Sequence, residues 1–139
     1  MNVIGQETGE LLIVEDDHDF VEDLFSMWSP PLPVARASSG EEAYEYLQTG
    51  VPALVLLDLN LPHYFAEDDD GEGFKILSYI KSCVGSDVPV IVVTSECSQE
   101  TRTHAASLGA SDFFHKPVDV SELEKTVSSV MRDRRGDVS

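Results

Sequence analysis

Short, unbroken apolar runs recur along the chain, each about as long as one strand. A run without polar interruptions is typical of a strand that is buried on both faces. The run at residues 34–37 is the least apolar, which predicts a place near the edge of a sheet. We predict five strands, at or within the runs Leu11–Val14, Val34–Ala37, Ala53–Leu57, Val88–Val93 and Phe113–His115.

The segments that follow these runs carry apolar residues at helical spacing. After the first run, Phe20, Leu24 and Trp28 form one stripe, and Pro30 is expected to stop the helix. Two further helices are predicted from capping boxes, Ser39 with Glu42 and Ser121 with Glu124. A helix over about Gly73–Ser82 is predicted from apolar residues on one side, and a weakly amphipathic helix is predicted over about Gln99–Leu108.

This alternation of strands and helices predicts an α/β fold. With short links and right-handed crossovers, the expected architecture is a doubly wound, five-stranded parallel sheet with five helices. The expected strand order is 2-1-3-4-5, as in flavodoxin-like proteins. We expect one domain over residues 11–132, a flexible N-terminal tail over 1–10 and a C-terminal tail over 133–139. So few residues follow the last helix that we expect no output domain.

The charge balance narrows the classes of partner. The 139 residues include 26 acidic and 9 basic ones, which gives a formal net charge of −17. Such a field repels nucleic acid, so we expect no direct nucleic-acid binding. The apolar runs are too short to span a bilayer, which predicts no membrane insertion. Cys83 and Cys97 are too few for a disulfide framework, and a cytoplasmic protein is the simplest expectation.

Chemically capable residues stand where the predicted strands end. Glu15 and Asp16 follow the first strand, Asp58 the third and Lys116 the fifth, and Thr94 ends the fourth. Each alone has an ordinary explanation, such as capping a helix or forming a turn. In a parallel sheet, however, the carboxyl ends of the strands meet at one edge, and sites form there. We therefore expect carboxylates, a hydroxyl and an ammonium group in one pocket.

Such a pocket favours a bound cation. Two like charges about 4 Å apart repel by roughly 4 kcal/mol at an effective dielectric constant of about 20. A divalent ion relieves this repulsion, and carboxylates, a backbone carbonyl and waters suit Mg²⁺. Beside the ion, the Lys116 ammonium and the Thr94 hydroxyl would hold a phosphoryl group that Asp58 accepts as the nucleophile.

Four segments resemble the receiver domains of two-component response regulators. They are LLIVEDD, ALVLLDLNLP, PVIVVTS and FFHKP, in that order, and the resemblance extends from residue 11 to about residue 132. It implies a single-domain regulator in which Asp58 is the phosphoacceptor, while Thr94 and Lys116 bind the phosphoryl group. It further implies that Asp17 helps to start the following helix.

The same resemblance implies a set of ligands for Mg²⁺. Asp16 and Asp58 would bind the ion directly. Asn60 would contribute its backbone carbonyl, and Glu15 would act through a water molecule.

A conformational switch is also implied by the resemblance. Phosphorylation would draw Thr94 inward, and Phe113 would turn into the vacated space, which alters the face formed by the fourth helix, fifth strand and fifth helix. The implied partners are a sensor histidine kinase or histidine phosphotransfer protein, a downstream protein and, through the same face, a second copy of the chain. The chain would catalyse only its own phosphorylation and dephosphorylation, so we do not expect an enzyme. The Lys116–Pro117 bond is expected to be cis.

Two features depart from the family pattern. Phe113 stands where a tyrosine is common, and it cannot donate a hydroxyl hydrogen bond. The loop between Pro62 and Gly73 is longer than usual and strongly acidic, but its spacing does not match a calcium-binding EF-hand. We leave two interpretations of this loop open: a solvated insertion, or an element that shapes recognition of the cognate kinase.

Other functions remain as alternatives to the phosphorylated switch. A binding module independent of phosphorylation would have been favoured by the loss of Asp58, Thr94 or Lys116, and all three are present. A phosphohydrolase of the haloacid-dehalogenase type needs an acid two residues after its nucleophile, where this chain has Asn60. A flavodoxin-like cofactor protein needs a phosphate loop after the first strand, where residues 15–17 are all acidic.

Overall fold

The computed structural model describes residues 5–61, 71–96 and 98–136. Its strands are β1 Gln6–Glu7, β2 Leu11–Val14, β3 Val34–Ala37, β4 Gly50–Val51, β5 Leu54–Leu57, β6 Val90–Thr94 and β7 Asp112–His115. Its helices are α1 His18–Met27, α2 Gly40–Thr49, α3 Gly71–Tyr79, α4 Gln99–Ser107 and α5 Val120–Gly136. A π-helical turn, Ile80–Val84, continues α3. No helix in the described part of the chain is both long and apolar enough to cross a membrane.

The main sheet confirms the predicted architecture. Five parallel strands lie in the order β3-β2-β5-β6-β7, which is the expected 2-1-3-4-5 order of the five predicted strands. β2 lies between β3 and β5, and its residue Val14 is level with Ala37 on β3 and with Leu57 on β5. This register matters for function, because it sets the residues after β2 and β5 side by side.

Two apolar layers cover the sheet, one on each face. Alternate residues of a strand point to opposite faces, so Leu12 belongs to one layer and Leu11 to the other. The residues of β2, β5 and β6 are all buried, which explains why these strands appear as unbroken apolar runs. β3 lies at the edge with a partly exposed pattern, as its weaker run predicted.

Local capping explains where several helices begin. Ser39 accepts a hydrogen bond from the Glu42 amide at 3.1 Å, as predicted, and the Glu42 carboxylate accepts one from the Ser38 amide at 2.7 Å. Asp17 caps α1 by accepting from the Phe20 amide at 3.1 Å, which also confirms an expectation.

The structure differs from the sequence-based predictions near both ends of the described chain. α5 begins at Val120, where Asp119 accepts from the Glu122 amide, so Ser121 is not its cap. The same helix continues through Gly136, beyond the predicted boundary at residue 132. Part of the predicted N-terminal tail forms β1, which pairs with β4 in a small second sheet. Two-residue strands have no periodicity of their own, and this pair depends on tertiary contacts.

Candidate functional site

The predicted site residues lie at the carboxyl edge of the main sheet. Glu15 follows β2 directly, Asp58 follows β5 and Lys116 follows β7, while Thr94 is the last residue of β6. The Lys116 amide donates to the Thr94 carbonyl at 2.9 Å, which continues the pairing of β6 with β7 into the site. The strand register therefore brings together residues that are far apart in sequence.

Lys116 links two buried carboxylates. Its Nζ lies 2.8 Å from Glu15 Oε1 and 3.2 Å from Asp58 Oδ2. The carboxylates are only 3% and 5% exposed, and the lysine is 18% exposed. The Lys116 ammonium also lies 4.4 Å from the centroid of the Phe20 ring, a cation–π contact made from the first turn of α1.

Burial and charge together shift the pKa values of this cluster. Burial raises the pKa of Glu15 to about 7; the hydrogen bond from Lys116 opposes this shift and the Asp58 charge adds to it. Burial tends to lower the pKa of Lys116, but its hydrogen bonds and charge interactions with Glu15 and Asp58 raise it overall. One ammonium group thus compensates only part of the negative charge at the pocket.

Three carboxylates form a group that could hold a metal ion. Oxygens of Glu15, Asp16 and Asp58 all lie within 4.8 Å of one another, and Asp16 is the exposed member. An all-oxygen donor set with solvent access on one side is chemically suited to Mg²⁺, which prefers oxygen ligands and retains waters. The side chains therefore fit a hard divalent cation.

The turn after β5 fixes the orientation of Asp58. The backbone N–H of Asn60 donates to Asp58 Oδ1 at 2.9 Å, so one carboxylate oxygen is held by this turn and the other by Lys116. The Asn60 side chain donates to Ser95 Oγ at 3.1 Å and ties this turn to the loop after β6. That the Asn60 carbonyl binds metal stays a prediction.

Thr94 and Phe113 occupy different positions around the site. Thr94 is fully buried, and its Oγ1 accepts from the Glu96 amide at 3.2 Å. Phe113 is level with Val92, further from the carboxyl edge, and its half-buried ring packs beside the guanidinium of Arg102. The Lys116–Pro117 bond is cis, as expected. The chemical and switching roles assigned to these residues stay predictions.

Two contributors to the site were not anticipated from the sequence. Gly73, in the first turn of α3, lies so close to the turn after β5 that a Cβ would overlap Leu59 Cα and be 2.9 Å from the Asp58 carbonyl oxygen. Only glycine lets α3 approach that turn. The helical spacing predicts Phe20 only as a member of the apolar stripe of α1, and it does not indicate a contact with Lys116.

Part of the acidic loop falls outside the described residues. Residues 62–70 belong to that part, so the two interpretations of the loop stay open. Cys97 is also outside, while Cys83 is an exposed free thiol.

Comparisons with known proteins agree with this geometry. A family model described as the response regulator receiver domain matches residues 11–128. The transcriptional regulatory protein CiaR of Streptococcus pneumoniae is 29% identical over 123 residues, which cover 88% of this chain and 51% of CiaR. This chain thus spans about half the length of that relative.

Solved structures show the same fold. A receiver domain protein from Methanospirillum hungatei has a TM-score of 0.76 at 22% identity, with 92% of this chain and 97% of that chain covered. The phosphorylated cyanobacterial phytochrome response regulator RcpA has a TM-score of 0.64 at 26% identity, with 89% and 91% covered.

Proposed function

Because the chain belongs to the response regulator receiver domain family, we propose that it accepts a phosphoryl group on Asp58 in a Mg²⁺-dependent reaction. The donor is a phosphohistidine of a sensor histidine kinase or of a histidine phosphotransfer protein. The product is an aspartyl phosphate, and its formation alters a protein-binding face.

The observation that carries this proposal is the position of Asp58. Its carboxylate is nearly buried, one oxygen is held by the Asn60 amide, and the other lies 3.2 Å from the Lys116 ammonium. Phosphoryl transfer depends mainly on positioning and on electrostatic stabilisation, and this cluster provides both. The phosphorylated state of RcpA, 26% identical to this chain, lends further support.

In the proposed transfer, the phosphoryl group moves from a histidine nitrogen to an aspartate oxygen. An Asp58 carboxylate oxygen attacks the phosphorus of the phosphohistidine, a P–O bond forms, and the P–N bond to the imidazole breaks. The leaving imidazole takes up a proton from solvent. Lys116 carries a positive charge beside Asp58 Oδ2, and the hydroxyl of the buried Thr94 is the proposed neutral donor for a phosphoryl oxygen.

Mg²⁺ would be held by side chains that precede and accompany the nucleophile. Asp16 and Asp58 are the proposed direct ligands, with the Asn60 carbonyl, and Glu15 acts through a water. When bound, the ion supplies positive charge that offsets the carboxylates and the incoming phosphoryl oxygens. Hydrolysis of the aspartyl phosphate then resets the protein, so the chain acts only on itself and is not a multiple-turnover enzyme.

The proposed output is a change in the face formed by α4, β7 and α5. Thr94 and Phe113 are the proposed switch residues, and a downstream protein or a second copy of the chain is the proposed partner. We propose that the protein acts in the cytoplasm, which is consistent with the free thiol of Cys83.

The proposal is tested with a small phosphodonor. Incubation with acetyl phosphate and MgCl₂, followed by intact-mass measurement, should show one added phosphoryl group. The addition should be absent in Asp58→Asn and absent with EDTA. Asp23→Asn, which removes an exposed carboxylate from α1, is the matched control and should be phosphorylated like the original chain.

Two results would overturn the proposal. An unmodified chain under these conditions would favour a binding module that works without phosphorylation. Sustained release of phosphate from ester substrates would instead indicate a phosphohydrolase.

A further inference from the structure

Arg102 makes an unusual contact with the aromatic ring of β7. Its Cζ lies 5.1 Å from the centroid of the Phe113 ring, within the range of a cation–π interaction. The two side chains meet across a groove of about 330 Å³ between α4 and β7. The guanidinium thus lies against a ring that is otherwise half-buried.

Arg102 pairs with an aromatic ring rather than with a carboxylate. The chain has 26 acidic residues, yet Arg102 forms no salt bridge within the part of the chain that the structure describes. The neighbouring Asp112 carboxylate accepts from the Phe113 amide at 2.8 Å. The Phe113 ring is therefore the principal partner of this guanidinium among the described residues.

The strand register connects the ring to the site. Val92 is level with Phe113, and Thr94 is level with His115. Residues that are level on adjacent strands share a face, and so do residues two apart on one strand. Thr94 and Phe113 therefore project from the same face as diagonal neighbours, while Arg102 reaches Phe113 from α4, the helix that follows Thr94.

We propose that Arg102 is a positioning residue that holds Phe113 in the α4–β7 groove and so opposes its movement towards Thr94. This inference rests on the proposed function, because it concerns regulation of the same site. Because Phe113 has no hydroxyl group, its ring cannot be held by a hydrogen bond. The Arg102 guanidinium over the face of the ring holds it instead. Removal of Arg102 should shift the population towards the inward ring position and favour phosphorylation.

The first measurement needs no phosphodonor. With 4-fluorophenylalanine at position 113, fluorine NMR should show a changed resonance in Arg102→Ala, and Arg102→Lys should restore most of it because a cation remains. Arg36→Ala, on the exposed edge strand β3, is the matched control and should leave the resonance unchanged. An unchanged resonance in Arg102→Ala would overturn the inference.

The second measurement is the rate of phosphorylation by acetyl phosphate. Loss of an exposed cation–π contact should raise this rate about two- to five-fold in Arg102→Ala. In a Phe113→Leu background the same substitution should have no effect, because there is no ring to hold. An equal effect in both backgrounds would contradict the proposal. If the original chain accepts no phosphoryl group, the proposed function fails, while the fluorine data still decide whether Arg102 positions Phe113.

Discussion

The two ends of the main sheet carry polar clusters of opposite character. At the carboxyl edge, Glu15 and Asp58 are buried around one ammonium group, and burial raises the pKa of Glu15 to about 7. At the opposite edge, the Tyr46 hydroxyl donates to Glu10 Oε1 at 2.7 Å and lies 2.6 Å from Thr8 Oγ1. The first cluster buries excess negative charge, while the second pairs each group with a hydrogen-bond partner and stays partly exposed to solvent.

The contrast indicates that the first cluster serves ligand binding and the second serves stability. A cluster that leaves buried carboxylates undercompensated is costly in the free protein, and a bound cation stabilises it by supplying the missing positive charge. The cluster around Tyr46 needs no added cation, because its polar groups are paired with each other. Its role is structural, since it links the small β1–β4 sheet to α2. Substitutions at the two ends should therefore differ in the size of their effect on stability, in pH dependence and in their effect on phosphorylation.

The largest effect is expected from Lys116→Met. Removal of the ammonium leaves two buried carboxylates without their shared cation, so the metal-free protein should lose about 3 kcal/mol of unfolding free energy. Phosphorylation should also be strongly reduced. Urea unfolding in EDTA measures the first effect, and intact mass measures the second.

Lys125→Met is the control for that prediction. Lys125 is 74% exposed and lies 3.8 Å from Glu122, a surface pair of the kind that contributes little. Its substitution should change stability by less than about 0.5 kcal/mol. Equal losses in the two variants would show that the Lys116 ammonium does not stabilise the buried carboxylates.

The next effect is a pH dependence assigned to Glu15. Its pKa is raised from 4.5 to about 7 in the folded state, so folding favours its protonated form. The associated stability is fully present below the unfolded pKa of 4.5 and is lost as pH rises through about 7. Glu15→Gln is a neutral mimic of the protonated form, so its unfolding free energy relative to that of the original chain should rise by about 2 kcal/mol between pH 5 and pH 8.

The measurement is the difference in unfolding free energy between these two chains across pH in EDTA. Millimolar Mg²⁺ should reduce the difference at high pH, because a bound cation compensates the ionised carboxylate. A difference that stays constant with pH would mean that Glu15 is ionised throughout.

Much of the site was predictable because it follows directly from strand ends. Unbroken apolar runs locate β2, β5 and β6, and the residue after each run reaches the carboxyl edge whatever the details of the helices. The same rule applied to the shorter run of β7 predicts that Lys116 shares a pocket with Asp58, and their side chains are 3.2 Å apart.

Features that depend on how two elements pack could not be predicted in this way. The close approach of Gly73 to Leu59 requires the position of α3 on the sheet, and the contact of Arg102 with Phe113 requires the angle between α4 and β7. The predicted cap of α5 is wrong for a different reason. Asp119 and Ser121 are both good capping residues, and the local pattern does not distinguish them.

The smallest effect is expected at the opposite edge of the sheet, from Tyr46→Phe. This change removes the hydroxyl that contacts Glu10 and Thr8, and should lower the unfolding free energy by about 1 kcal/mol. Tyr44→Phe is a matched control on the same helix, because the Tyr44 hydroxyl makes no hydrogen bond among the described residues. Both variants should be phosphorylated at the rate of the original chain, since the four-residue strands β2 and β5 separate this cluster from Asp58. A slower Tyr46→Phe variant would mean that the two ends of the sheet are coupled, and equal stability of the two variants would mean that the hydrogen bonds of Tyr46 contribute nothing.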